Sequence, residues 1–244
     1  MVTAASDIAG LRQLWKLAFG DTEEFLDSFF ETAFSSDRCL FWKAEDKIAA
    51  ALYWFDCEYD GRKAAYVYAV ATHPDFRGRG LCRQLMAKTH ELLKEQGYDA
   101  ALLVPQDEGL RKMYAAMGYQ DATSVSKFTC EAGEPAACRK VDAQEYAALR
   151  RKLLPEGGVV QEGENLRFLS TYANFYKGAD FLAAVSGKQI LELLGNRNAA
   201  PEILGALGFA SGSVRMPGEE VPYAMFLPLK QNVPMPSYFG FAFD

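Results

Sequence analysis

The chain is short of histidine, of cysteine in pairs and of positive charge. Only two histidines, His73 and His90, occur in 244 residues. The five cysteines, Cys39, Cys57, Cys82, Cys130 and Cys138, form no C-x-x-C pair, so zinc-site spacing is absent. An odd count without a paired framework reads as reduced thiols. Lysine and arginine number 26 against 32 aspartates and glutamates, a net charge of −6. That balance argues against nucleic-acid binding, which needs a basic surface. No apolar run reaches the length of a membrane span, and the opening M-V-T-A-A-S-D has neither a basic segment nor a long apolar one. The expectation from these absences is a cytoplasmic protein without metal, nucleic-acid or membrane partners.

What is present is a core-forming composition, half of it hydrophobic. Ser6 or Asp7 precedes apolar residues at helical spacing through Ala18, and a second helix carries Phe25, Leu26, Phe29, Phe30 and Ala33 on one side. Strands are expected over 39–43, 48–59 and 64–72, with a polar turn at Glu45-Asp46 and a hairpin at Asp60-Gly61. After the third strand come His73-Pro74, then Arg77-Gly78-Arg79-Gly80, then an amphipathic helix from Leu81 that Gly97 ends. A buried strand over 100–104, a short helix over 110–117 and a strand over 122–130 follow. The strand, glycine turn and helix carry the first functional signal. A helix start leaves N–H groups unpaired and partly positive, and glycine lets an anion approach the backbone. Arg77, Arg79 and Arg83 add a local basic patch to an acidic chain.

Residues 131–137 read as a linker. Beyond it a second unit, 138–244, repeats the first imperfectly. Residues 9–14 resemble 147–152. The run Leu102-Leu103-Val104, helix, Met117-Gly118-Tyr119 resembles Leu191–Leu194, helix, Leu207-Gly208-Phe209. On that alignment Leu204 takes the place of Tyr114, and no room remains for a full strand meander plus a glycine turn and its helix. The last nine residues hold four aromatics and are expected to form a core strand. A sharper expectation is that this tail, with the Asp244 carboxylates, closes the functional site of the first unit.

Through these residues the chain resembles the GNAT superfamily of acyl-CoA-dependent N-acetyltransferases over about residues 1–130, most strongly from 66 to 119. The family's pyrophosphate motif, [Q/R]-x-x-G-x-[G/A], stands here as Arg77 to Cys82, with Cys82 in place of glycine or alanine. A second element stands as Asp107 to Tyr119, with Asp107 in place of the usual asparagine. The resemblance implies an α/β fold, a mixed-sheet GNAT domain over 1–130 followed by a smaller, degenerate GNAT-like domain over 138–244. It implies acetyl-CoA as cosubstrate. Backbone groups of Val70, Ala71 and Thr72 would hold the pantetheine arm. Arg77, Gly78, Arg79, Gly80, Leu81 and Cys82 would hold the pyrophosphate, with Asp107 nearby. Tyr114 would protonate the departing thiolate.

The base is harder to read. Tyr66 stands where some members carry a glutamate, and Tyr66 and Tyr68 either line the acceptor pocket or pack in the core. Asp56 and Glu58 share a strand face, and Glu58 is the marginal choice. The acceptor is an amine, small-molecule or peptide, and the acidic run Asp21, Glu23, Glu24, Asp27 leans toward a cationic one. The chain is expected to act as a monomer or homodimer. The competing expectation is an acyl-CoA sensor that has lost turnover.

Overall fold

A computed structural model describes residues 2–3, 7–44, 46–135 and 137–243. The first half runs β1 (Val2–Thr3), α1 (Ile8–Phe19), α2 (Glu23–Thr32), β2 (Cys39–Ala44), β3 (Lys47–Tyr59), β4 (Arg62–Thr72), α3 (Leu81–Glu95), β5 (Ala100–Leu103), α4 (Glu108–Ala115), β6 (Gln120–Asp121) and β7 (Ser124–Glu131). Local chemistry sets these bounds. The Asp7 carboxylate caps α1 by accepting from Gly10 N–H at 3.0 Å, while Ser6 lies outside the described residues, as does Glu45 of the expected polar turn. Asp60 and Gly61, with φ of 48° and 69°, turn β3 into β4. Two positive φ values in a two-residue loop match the strand twist.

The second half runs β8 (Arg139–Val141), α5 (Ala143–Leu153), α6 (Glu164–Leu169), β9 (Asn174–Lys177), β10 (Phe181–Ser186), β11 (Gln189–Gly195), α7 (Ala199–Ala206), β12 (Ser211–Pro217), β13 (Val221–Pro222) and β14 (Met225–Pro228). Two mixed seven-stranded sheets form, ordered β1-β2-β3-β4-β5-β14-β6 and β8-β9-β10-β11-β12-β7-β13. Both sheets carry the same directions in the same places. Three antiparallel pairs are followed by one parallel pair (β4 with β5, β11 with β12), then two antiparallel pairs. Two helices precede the second strand of each sheet, and one helix crosses over the parallel pair. The duplication is therefore structural, and it includes an exchange. Strand β7 of the first half occupies the sixth place of the second sheet, and β14 of the second half occupies the sixth place of the first. The sheets accordingly do not divide at residues 131–137.

Three expectations are corrected here. The second half does contain a meander and a crossover helix, though no glycine-rich turn, because its strands are short: β10 and β11 span 6 and 7 residues against 13 and 11 for β3 and β4. The segment 191–194 takes the place of β4 rather than of β5, so α7 is the counterpart of α3. Tyr114 and its helix α4 have no counterpart at all, and Leu204 does not stand in its place. Finally, the tail is buried but is not a strand. Apart from one bridge between Gly158 and Tyr238, its pairing is made by a side chain. Buried Gln161 donates to Phe241 O at 2.7 Å and accepts from Phe241 N–H at 2.9 Å. No helix among the described residues is long and apolar enough to cross a membrane.

Candidate active site

The site begins where β4 leaves β5. The two strands pair in parallel only over Ala64–Tyr66 with Ala100–Leu102. Beyond Tyr66 they part. On its other edge β4 shifts register against β3 between Ala51 and Tyr53, and Ala69 there has φ +48°. A bulge of this kind bends a strand and re-aims its backbone groups. A left-handed conformation in alanine costs roughly 1–2 kcal/mol, so the surrounding packing must hold it. The result is a cleft of about 330 Å³, walled by residues 66–70 on one side and by Leu103, Val104, Pro105, Gln106, Leu110 and Tyr114 on the other.

At the end of β4, the glycine turn starts α3. Gly78 and Gly80 have φ of 76° and 74°, and Gly80 caps the helix without any side-chain bond. A methyl group added at Gly78 would meet nothing within 4 Å, so conformation rather than crowding requires glycine there. The first intrahelical bond runs from Gln84 N–H to Gly80 O, leaving the amides at the very start of the helix without helical acceptors. No acidic residue stands in the first turn. Arg77 Nε donates to Thr72 O at 3.3 Å, and Arg79 donates to Asp75 O at 3.0 Å while its guanidinium lies 5.0 Å over the Phe76 ring. Both arginines therefore brace the turn and remain exposed. Cys82 sits one residue into the helix. Burial pushes its thiol up, which suits packing and not nucleophilic attack.

Tyr114 comes from α4, whose start is capped by Asp107 accepting from Leu110 N–H at 2.7 Å. That bond gives the Asp107 carboxylate a structural task, and Asp107 itself does not line the cleft. Tyr114 is buried, packs edge-on against Tyr119 and has no hydroxyl hydrogen bond among the described residues. Burial raises its hydroxyl well above the ordinary tyrosine value, with a smaller push from Cys82.

The first helix pair, α1 and α2, and the tail close the outer side. Trp15, Ala18, Phe19, Asp21 and Phe25 line the cleft together with Ala242 and Phe243. Tyr68, whose ring lies 5.6 Å from Trp15, donates to Phe243 O at 2.5 Å. The tail thus reaches the first unit's cleft, while Asp244 lies outside the described residues. Tyr66 and Tyr68 do both things the sequence left open: they pack in the core and line the cleft.

Glu58 is placed elsewhere. It pairs with Lys63 near the far end of the β3–β4 hairpin, about 13 Å of strand from Val67. There it bonds Arg151 at 3.3 Å, half exposed. Asp56 accepts from Tyr98 and faces Arg38 at 3.5 Å. Neither carboxylate lines the cleft, contrary to the expectation for a base. His73 is engaged with Asp75 N–H at 3.2 Å. His90 bonds the Tyr119 hydroxyl at 2.9 Å, and burial lowers its pKa to about 4, which keeps it neutral. The residue that sequence reasoning passed over is Asp21. The sequence offers it only as one of four acidic residues leaning toward a cationic acceptor, yet it alone of them sits in the Gly20-Asp21-Thr22 break between α1 and α2 and lines the cleft. Among the described residues no group of three or more His, Cys, Asp or Glu side chains is assembled for a metal.

A model of the acetyltransferase (GNAT) domain family matches residues 2–122. No curated protein matches the chain. Solved structures share the fold across both halves. A GCN5-related N-acetyltransferase from Kribbella flavida is 17% identical, with 92% of this chain and 69% of that one covered at a TM-score of 0.68. One from Anabaena variabilis is 14% identical, covering 93% and 72% at 0.68. A tandem GNAT protein from the clavulanic acid biosynthesis pathway is 14% identical, covering 95% and 98% at 0.59.

Proposed function

We propose that this chain, which belongs through residues 2–122 to the GNAT family of acetyltransferases, transfers an acetyl group from acetyl-CoA to an amine in the cleft between β4 and β5. The observation that carries this reading is a run of three features from β4 through α3 to α4, of which the strands and the tyrosine line the cleft and the glycine turn follows the end of β4. The features are a parted parallel strand pair, a glycine turn at an uncapped helix start, and a buried tyrosine with an unengaged hydroxyl. The residues fit the cosubstrate. The freed edge of β4 at Val70, Ala71 and Thr72 suits an amide-bearing arm. The amides of residues 78–82 suit a pyrophosphate, with Arg77 and Arg79 shaping the turn.

Acetyl-CoA supplies an acetyl group activated as a thioester. The chain's own part is to hold that group and the amine together, which removes much of the entropic barrier. The β4 backbone offers N–H groups to the developing oxyanion. The amine nitrogen forms the new C–N bond as the C–S bond breaks. The proton lost by the amine passes to the acidic side of the cleft at Asp21 or to solvent. Tyr114, kept protonated by burial, gives its proton toward the sulfur. The second sheet repeats the strand pattern without the glycine turn or any helix like α4, which supports one working site per chain. The metal-free, cytoplasmic setting expected from composition belongs to the same reading.

The test is thiol release from acetyl-CoA with a panel of primary amines, with mass detection of the N-acetylated product. Amine-dependent release, one thiol per acetylated amine, is expected. Tight CoA binding without release on any amine would select the alternative, an acyl-CoA sensor.

A further inference from the structure

The cleft also describes its acceptor. Its outer part is built of rings: the Trp15 ring centroid lies 5.8 Å from Phe19, 6.5 Å from Phe25 and 5.6 Å from Tyr68, and Phe243 lies 5.9 Å from Tyr68. All five line the same space. Among the described residues a single charged side chain, Asp21, stands in this wall, and no lysine, arginine or histidine lines the cleft. One Asp21 oxygen is fixed by Trp15 Nε1–H at 2.8 Å, and the other accepts no hydrogen bond among the described residues. None of the other residues of the acidic run lines the cleft. Glu23 pairs with Arg12 and Lys16, and Asp27 pairs with Arg12.

We infer that the acceptor is a primary amine on an aromatic or bulky apolar body, free of any carboxylate, with its ammonium held at Asp21. This inference rests on the transferase reading above and deepens it. A rigid aromatic wall buries an apolar body at little entropic cost, and the ring faces attract an adjacent ammonium. The Asp21 carboxylate supplies the charge-assisted bond that orients nitrogen. A free amino acid would bring a carboxylate into a place with no cation to meet it, beside a fixed carboxylate, which is a strongly unfavourable burial.

Phenethylamine and L-phenylalanine differ only by that carboxylate and make the direct comparison. Each is titrated calorimetrically into the protein after saturation with CoA. Phenethylamine should bind at least about 30-fold more tightly, the loss expected for an unmatched buried charge. Asp21→Asn, whose amide oxygen still accepts from Trp15, should weaken phenethylamine about tenfold or more. Equal or tighter binding of phenylalanine, no binding of phenethylamine, or an unchanged affinity in Asp21→Asn overturns the inference. Thiol release with phenethylamine is read separately. Binding that obeys these expectations without release overturns the transferase reading alone and leaves the shape of the acceptor site standing.

Discussion

Tyr114→Phe should lower kcat by about two to three orders of magnitude, the range of a lost general acid, while acetyl-CoA affinity changes less than about threefold. The substitution removes only a hydroxyl. The ring keeps its edge-on contact with Tyr119 and its place in the cluster with Leu85, Met86 and Leu103, so neither fold nor cleft shape should move. No hydrogen bond is broken among the described residues, because the hydroxyl makes none. The pH profile adds a signed check. Burial penalises the phenolate, so the folded pKa lies above the ordinary tyrosine value. Tyr114 therefore stays protonated throughout the neutral and mildly alkaline range. Any rise in rate between pH 6 and about pH 9 must come from deprotonation of the amine and should survive in Tyr114→Phe. Steady-state kinetics across pH, with calorimetric CoA titration, measures both halves. A variant with wild-type kcat removes Tyr114 from the chemistry.

Arg150→Met should destabilise the protein by about 3–5 kcal/mol, a large share of a typical domain's stability. Arg150 is 1% exposed and Glu192 0%. Their guanidinium and carboxylate meet in two bonds of 2.7 and 2.9 Å. Tyr146 and Tyr238 donate to the same carboxylate at 2.7 and 3.1 Å, and Arg150 also donates to Val159 O at 3.1 Å. Removing the arginine leaves a fully buried carboxylate without its countercharge. Replacing both partners together with the two hydroxyls that depend on them, Arg150→Met, Glu192→Leu, Tyr146→Phe and Tyr238→Phe, should recover much of the loss, since an apolar cluster then avoids the desolvation cost without stranding a buried donor. The cluster also sets the course of the tail. Gly240 crosses it so closely that a methyl group there would come within 1.9 Å of a Glu192 oxygen, and the Arg150 guanidinium lies 4.6 Å over Phe241. Ala242 and Phe243 then enter the cleft. Urea unfolding reads the stability, and a loss under about 1 kcal/mol in the single variant would refute the assignment.

The parts of this architecture that were legible in the sequence are those fixed by short-range chemistry. Asp60-Gly61, Gly78 and Gly80 each need a backbone conformation few residues accept, and each stands where that reading put it. Asp107 was legible as a departure from a motif, but its work as the cap of α4 depends on the Leu110 amide it faces. The strand exchange was not legible. β7 and β14 are ordinary strands locally, and only tertiary pairing decides which sheet receives them. The duplication is legible through a glycine-aromatic step, one element out of register, because that step follows α3 (Gly97-Tyr98), α4 (Gly118-Tyr119) and α7 (Gly208-Phe209) alike and cannot distinguish α3 from α4. Glu58 was chosen because it shares a face with Asp56. Two-residue periodicity gives the face of a strand and says nothing about which end lies at the cleft. The tail's aromatics correctly implied burial. Pro234, Pro236 and Gly240 disfavour a ladder, and Gln161 takes over its hydrogen bonds.

The central claim is a single acyl-CoA seat per chain, at the glycine turn of the first half. Calorimetric titration of the full chain with CoA tests it most directly. One site per chain is expected, weakened at least about tenfold by Gly80→Val, which places a β-branched residue at φ +74°. No binding, two sites per chain, or a site indifferent to Gly80→Val would contradict it.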